Sequence, residues 1–184
     1  MLLYRRIRYG YAFRRIPLTQ GKYTIVDPDD YRRISKHKWC AVKIGRTFYA
    51  ARTIRTKPGK QRQVAMHRRI IDVPDNMFVD HINRNGLDNR KANLRPATHT
   101  QNIRNRAKYK NRTYGSKYKG VTWHRQHNLW QAQIRVKRKS IFLGSFHNEL
   151  QAAKAYDRAA RKYHRQFAAL NFPDAALDSL RRTK

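Results

Sequence analysis

From Trp130 to Lys137 apolar and polar side chains alternate without a break. Trp130, Ala132, Ile134 and Val136 fall on one face, and Gln131, Gln133, Arg135 and Lys137 on the other. Such alternation demands a strand with one face covered and one open. Val121 and Trp123 before it, and Ile141 and Leu143 after it, are expected to face the same way. Thr122, His124, Ser140 and Phe142 are then expected on the open face. Asn148-Glu149-Leu150-Gln151 reads as a capping box, with Glu149 at the positive end of the helix it opens. Leu150, Ala153, Tyr156, Ala160 and Tyr163 form a narrow apolar stripe along that helix. The stripe is core, and the block predicts a three-stranded sheet packed on one helix.

Upstream the pattern changes. Ile16 to Thr56 holds a strand at Lys22–Val26 and a short helix after Asp27-Pro28. A hairpin is expected from Trp39–Ile44 and Thr47–Thr53, split at Gly45-Arg46. Val64–Ile71 reads as helical, and Phe78–Ile82 as a strand carrying Asp80 and His81. Asn83–Ala92 is rich in Asn, Asp, Arg and Gly and reads as a loop. Asn93-Leu94-Arg95 resumes as a strand that Pro96 ends, and Thr98 caps a helix running through Asn102 to about Arg106.

The order strand, loop, strand, helix places Asp80, His81, Asn93 and Asn102 around one loop. A carboxylate and an amide oxygen suit one hard divalent cation, Mg²⁺ or Mn²⁺, and a neutral imidazole beside it can take a proton from water. Asp80 and Asn102 are the candidate ligands and His81 the candidate base; Asn93 is expected to hold the loop and so fix the His81 ring. An Asp-His pair alone is a weak signal. Asn89 is a rival for the middle position but sits inside the loop, and His99 is a rival ligand one turn before Asn102. His37, His124, His127, His147 and His164 read as surface or DNA-facing histidines.

The text VDHINRNGLDNRKANLRPATHTQNIRNR, Val79 to Arg106, preceded by MHRRI at Met66 to Ile70, resembles the HNH endonuclease family. The resemblance covers roughly residues 16–106 and is closest to the phage and intron-encoded homing branch. It implies a ββα-metal fold, metal ligands at Asp80 and Asn102, a general base at His81 and a loop-orienting Asn93. The last signature position is often His in the family and is Asn102 here. His67 matches a histidine common before the array.

The texts YKGVTWHRQHNLWQAQIRV, IFLGSF, AAKAYDRAA and LNFP resemble the AP2 DNA-binding domain over residues 117–173. The resemblance implies that the sheet lies in the major groove. Plant members fill the contact face with Arg and Trp, whereas Thr122, His124, Gln133, Ser140 and Phe142 stand here, so the recognised sequence does not carry over. The expected contacts are Lys119, Thr122, His124, Arg125, Gln133, Arg135, Lys137 and Ser140.

Charge fits this reading. Lys and Arg number 43 against 11 Asp and Glu, a net +32 that repels itself unless a polyanion partners it. Residues 1–15 are expected to be a basic arm, 107–116 a basic linker and 174–184 a tail. Cys40 is the only cysteine, which excludes an internal disulfide or a Cys-type zinc cluster and fits a reducing cytoplasm, in a bacterial or phage-infected cell. No run is apolar enough to span a bilayer, and residues 1–16 lack the apolar block of a signal peptide. No protein partner follows from the sequence. The fold expected is α+β, and the function a site-preferring, homing-type endonuclease acting on double-stranded DNA. The competing readings are a DNA-binding regulator with an inactive nuclease domain, a ribosome-associated RNA binder and a toxin nuclease.

Overall fold

The structure, a computed structural model, describes residues 1–108 and 115–173. It mixes helices with several small antiparallel sheets. The chain divides into two compact units, Met1–His99 and Thr100–Lys184.

The first unit opens with α1 (Leu2–Tyr9), within the stretch read as a basic arm. The helix buries none of its residues and ends at Gly10, whose φ of 76° suits a residue without Cβ. Phe13 is buried and strand β1 (Arg14–Pro17) pairs with β2 (Tyr23–Val26), so the folded part begins before Ile16. Helix α2 (Pro28–Ile34) starts as expected, with Asp27 extended and proline at the first turn.

Strands β3 (Cys40–Ile44) and β4 (Thr47–Lys57) form the expected hairpin. Then β4 runs on and pairs with β5 (Lys60–Ala65) through a Pro58-Gly59 tip. The helical reading of Val64–Ile71 is therefore corrected: Val64 and Ala65 end a strand, and only α3 (His67–Ile70) is helical. The polar run Lys60–Gln63 hid this strand, because both its faces are exposed and no alternation is required of it.

Strand β6 (Phe78–His81) pairs with β7 (Leu94–Ala97), Asp80 opposite Arg95 and His81 opposite Leu94. Asn93 closes a short 3₁₀ turn instead of starting the strand, and Pro96 lies within it, opposite Val79. In a two-stranded ladder both strands are edges, so proline's missing N–H costs little. Ile16, Val26, Ala50, Val79 and Leu94 come from three sheets and share one core, which seats β6–β7.

The second unit contains all but the first residue of α4 (His99–Asn105). A sheet of order β10-β9-β8 follows, from β8 (Val121–His124), β9 (Leu129–Val136) and β10 (Lys139–Phe146). Helix α5 (Glu149–His164) packs on it, and the Asn148 side chain accepts from the Leu150 N–H at 2.7 Å. Val121, Ala132 and Ile134 are buried as expected. Three inward assignments are corrected: Trp123 is 40% exposed, Leu150 46% and Tyr163 36%. The buried stripe of α5 is instead Ala152, Ala153, Ala155, Tyr156, Ala159 and Ala160, since alanines let the helix lie close to the sheet. Trp123 still shares a face with Trp130, ring to ring at 4.8 Å, but at the sheet's rim.

The two strongest AP2-like anchors are structural staples. Asp157 of AYDRAA is buried and accepts from the N–H groups of Asn171 and Phe172 of LNFP, each at 2.8 Å. Asn171 in turn pairs with the Lys119 backbone through both its amide atoms. Lys110 and Arg112 of the expected linker, and the tail 174–184, lie outside the described residues.

Candidate active site

The first unit brings together Asp80, His81 and Asn93. Asp80 and His81 are 4% and 5% exposed, and Asn93 is fully buried. His81 is the last residue of β6, so the chain is released from the ladder immediately after the imidazole.

Asn93 ties both ends of the following loop. Its Oδ1 accepts from the Asn83 N–H at 2.9 Å, and its Nδ2 donates to the Asp88 carbonyl at 2.7 Å. The loop is also knitted from within. Asn83 donates to the Asp88 carboxylate at 2.8 Å and accepts from the Asn85 N–H at 2.9 Å. Asp88 takes a two-pronged bond from Arg90, at 2.7 and 2.6 Å, and both side chains are buried. The Arg90 guanidinium lies 3.4 Å from the centre of the Tyr11 ring. A pair of backbone bonds, Ile25 N to Leu87 O and Asn89 N to Ile25 O, fixes the loop to β2.

Asn89, weighed as a rival to Asn93, holds a different position. Its Oδ1 is 3.2 Å from His81 Nε2, while its Nδ2 donates to Thr24 Oγ1 at 2.8 Å. An amide oxygen there favours the His81 tautomer with the proton on Nε2, leaving Nδ1 as the basic nitrogen. Burial pushes the His81 pKa below the ordinary histidine value, against the bond from Asn89 and the charges of Asp80 and Asp88. The ring is therefore neutral at pH 7, the form a general base needs.

Three further side chains were given no role by sequence reasoning. The His67 and Tyr49 rings stand edge-on to His81, at 5.1 and 5.7 Å between centroids. Burial, then the neighbouring His81 and Arg68, lowers His67 to a pKa of about 3, so it too is neutral. Its Nδ1 is buried without a hydrogen-bond partner. Arg95 donates to Asp80 Oδ2 from Nε at 2.8 Å and from a terminal nitrogen at 2.6 Å. Its position could have been counted, since a hairpin closing after Asn93 sets Arg95 opposite Asp80; Tyr49 gave no signal. Gly86 lets the loop press on β4, since a Cβ there would come within 2.5 Å of the Phe48 carbonyl oxygen and 2.6 Å of the Tyr49 ring. His99 pairs with the Phe78 ring at 5.5 Å. Asn102 lies on α4, in the second unit.

Among the described residues no three His, Cys, Asp or Glu side chains gather as a metal cluster. The donor chemistry nevertheless fits one small hard cation. Asp80 is a buried carboxylate, and such ions are commonly held by one carboxylate with the remaining oxygens coming from substrate phosphate and water.

Comparison with known proteins separates the two parts of the chain. Residues 72–104 match the family model for HNH endonucleases, a span that includes Asp80, His81, Asn93 and Asn102. A different region is similar to plant transcription factors. The AP2/ERF and B3 domain-containing transcription factor RAV1 of Arabidopsis thaliana is 43% identical over 63 residues, 34% of this chain and 18% of its own length. The AP2-like ethylene-responsive transcription factor PLT2 of Arabidopsis thaliana is 51% identical over 59 residues, 31% of this chain and 10% of its own. CRL5 of Oryza sativa subsp. japonica, described in the same words, is 49% identical over 59 residues, 31% of this chain and 9% of its own. The chain thus spans less than a fifth of the length of these relatives. The chain carries both an HNH-type and an AP2-type segment.

The AP2-type segment presents one face of its sheet to solvent. The register puts Thr122 beside Gln131, Gln133 beside Phe142, and Arg135 beside Ser140. Thr122, Gln133, Arg135 and Ser140 are exposed, and Phe142 is 62% exposed among them. Arg125 lies in the β8–β9 turn; His124 is half-buried, its ring stacked on His127 at 4.7 Å. Lys137 lies in the β9–β10 turn at φ 45°. Lys119 is drawn elsewhere: its Nζ donates to the carbonyls of Arg104 and Arg106 at 2.7 and 2.6 Å, at the end of α4. His164 is buried, contrary to its reading as a surface histidine, and bonds the Arg135 carbonyl at 3.1 Å. HNH-type and AP2-type segments together point to DNA as the partner, and no helix among the described residues is long and apolar enough to cross a membrane.

Proposed function

We propose that the chain is a site-preferring, homing-type DNA endonuclease that hydrolyses phosphodiester bonds with one divalent ion and His81 as general base. The carrying observation is the buried, neutral His81, held by Asn89 next to the Asp80 carboxylate within an Asn93-braced loop. His81 takes the proton from the attacking water, with Asn89 orienting its ring. Asn93 acts through the loop, keeping Asn89 and His81 in register. Asp80 is the proposed protein ligand for Mg²⁺ or Mn²⁺, and Asn102 the second, the latter resting on the sequence spacing. The ion would supply positive charge to the scissile phosphate. The β6–β7 hairpin and α4 are proposed to be a ββα-metal module. The open face of the AP2-type sheet is proposed to read the major groove of duplex DNA and to supply most of the selectivity.

One observation favours a second reading, a DNA-binding regulator with an inactive nuclease domain. The Arg95 guanidinium already neutralises Asp80 and must yield before an ion can bind there. Supercoiled-plasmid cleavage decides between them. Wild type should convert plasmid to open-circle or linear DNA with Mg²⁺ or Mn²⁺, fail with EDTA, and lose about 10²- to 10⁴-fold in His81→Ala. Tight binding without cleavage of any bound DNA would establish the regulator.

A further inference from the structure

The second unit carries a groove of about 550 Å³ beside the stretch of β9 that β8 does not pair with. Strand β8 accompanies β9 only as far as Ala132; beyond that, the Gln133 N–H bonds the Gly120 carbonyl, and the Arg135 carbonyl is met by His164. Helix α4 contributes Ile103 and Arg104 to the wall, and Ile134 and Tyr156 form an apolar floor. Gly120 permits this hollow, since at its φ of 74° a Cβ would overlap the Tyr156 ring.

Charge in the groove has one sign. Arg104, Lys119, Arg135, Lys137 and Arg138 line it, and among the described residues no Asp or Glu does. Lys119 lies across the last carbonyls of α4 and offsets the negative pole that a helix end would otherwise turn on the groove. His164 registers the same field: burial first, then Arg104 and Lys119, lower its pKa. Its Nδ1 is buried with no partner, an acceptor suited to a bridging water. Ile103 stays 44% exposed at the rim, the kind of apolar surface a deoxyribose covers. Arg135 and Ser140 belong both to this groove and to the open sheet face, so the two surfaces are continuous.

We propose that this groove is a second DNA site, which clamps the sugar-phosphate backbone where it leaves the sheet face, with Arg104 and Arg138 as its phosphate contacts. The inference rests on the reading that the AP2-type segment binds duplex DNA. It assigns to α4 and the β9–β10 turn a backbone-positioning role that carries no sequence information.

The test is fluorescence anisotropy of the full chain on a labelled duplex across a salt series. Arg104→Ala with Arg138→Ala should weaken binding about tenfold at low salt and flatten the slope of log K against log salt by roughly 1.8, two phosphates' worth. Lys154→Ala with Arg158→Ala, on the exposed face of α5, removes the same charge and should change the slope far less. Arg138→Glu alone, in an exposed turn that leaves the core intact, should weaken binding further than Arg138→Ala. Equal slopes for the groove and α5 pairs would overturn the clamp while leaving the sheet-face reading intact. No duplex binding by the unaltered chain would overturn both.

Discussion

Asn93 is the residue whose removal should be felt in two ways at once. In Asn93→Ala the buried Asn83 N–H and Asp88 carbonyl both lose their partner. The cost is about 2–4 kcal/mol, read by urea denaturation, together with a fall in plasmid cleavage. A stability loss without an activity loss would separate loop bracing from catalysis. His67 gives a pH prediction. Its folded pKa of about 3 lies below the ordinary 6.5, so the unfolded chain binds the extra proton between those values. Its contribution is whole above pH 6.5 and is lost as pH falls towards 3, about 2 kcal/mol of it by pH 5. His81, lowered in the same direction, adds to this slope. His67→Gln should flatten the stability–pH curve below pH 6.5; an unchanged curve would mean that the ring is not held neutral.

At the scale of elements, the loop, the strands and the staples answer to different forces. Gly86→Ala should destabilise the first unit by about 1–3 kcal/mol, because the new Cβ meets backbone of β4 rather than a flexible side-chain end. Thermal melts of the single variant read this directly, and a neutral result would show that the loop can shift. Elements with one covered face were legible in the sequence. The alternation of β9 and the turn signals around β3–β4 set their faces and ends. The elements that escaped are those whose pattern is not set by a core: β5 is exposed on both faces, α1 buries nothing, and Pro96 is tolerated because its strand is an edge. The site was legible to the same degree. Asp80, His81 and Asn93 stood out by type and spacing. Tyr49 and His67 reach the site through tertiary packing, which spacing along the chain does not encode. Asn89 was set aside for lying in a loop, yet that loop is what carries it to the imidazole.

For the whole molecule the governing quantity is its +32 charge. Self-repulsion of that size should make stability rise with ionic strength. Between 0.05 and 0.5 M NaCl the gain is expected to be about 1 kcal/mol, or roughly 5 °C in Tm. DNA affinity should fall steeply over the same range, so the two salt dependences should run in opposite directions. A Tm indifferent to salt would mean that the cations are too dispersed to repel. Truncation is predicted with a complication. Deleting residues 117–184 should weaken selective cleavage and leave metal-dependent nicking, but it also removes the Lys119 ammonium from the end of α4.

The loop around the candidate base is closed largely by amides: Asn83, Asn85, Asn89 and Asn93 supply most of its side-chain bonds. Amides do not titrate. The amide bonds of the scaffold thus keep one wiring across pH, beside the ionic pair of Asp88 and Arg90. The vulnerability is chemical age. Hydrolysis of a single amide to a carboxylate replaces a donor by an acceptor. At Asn93 it would set two oxygens against each other where Nδ2 now meets the Asp88 carbonyl, so a stored sample would lose stability and function at one position.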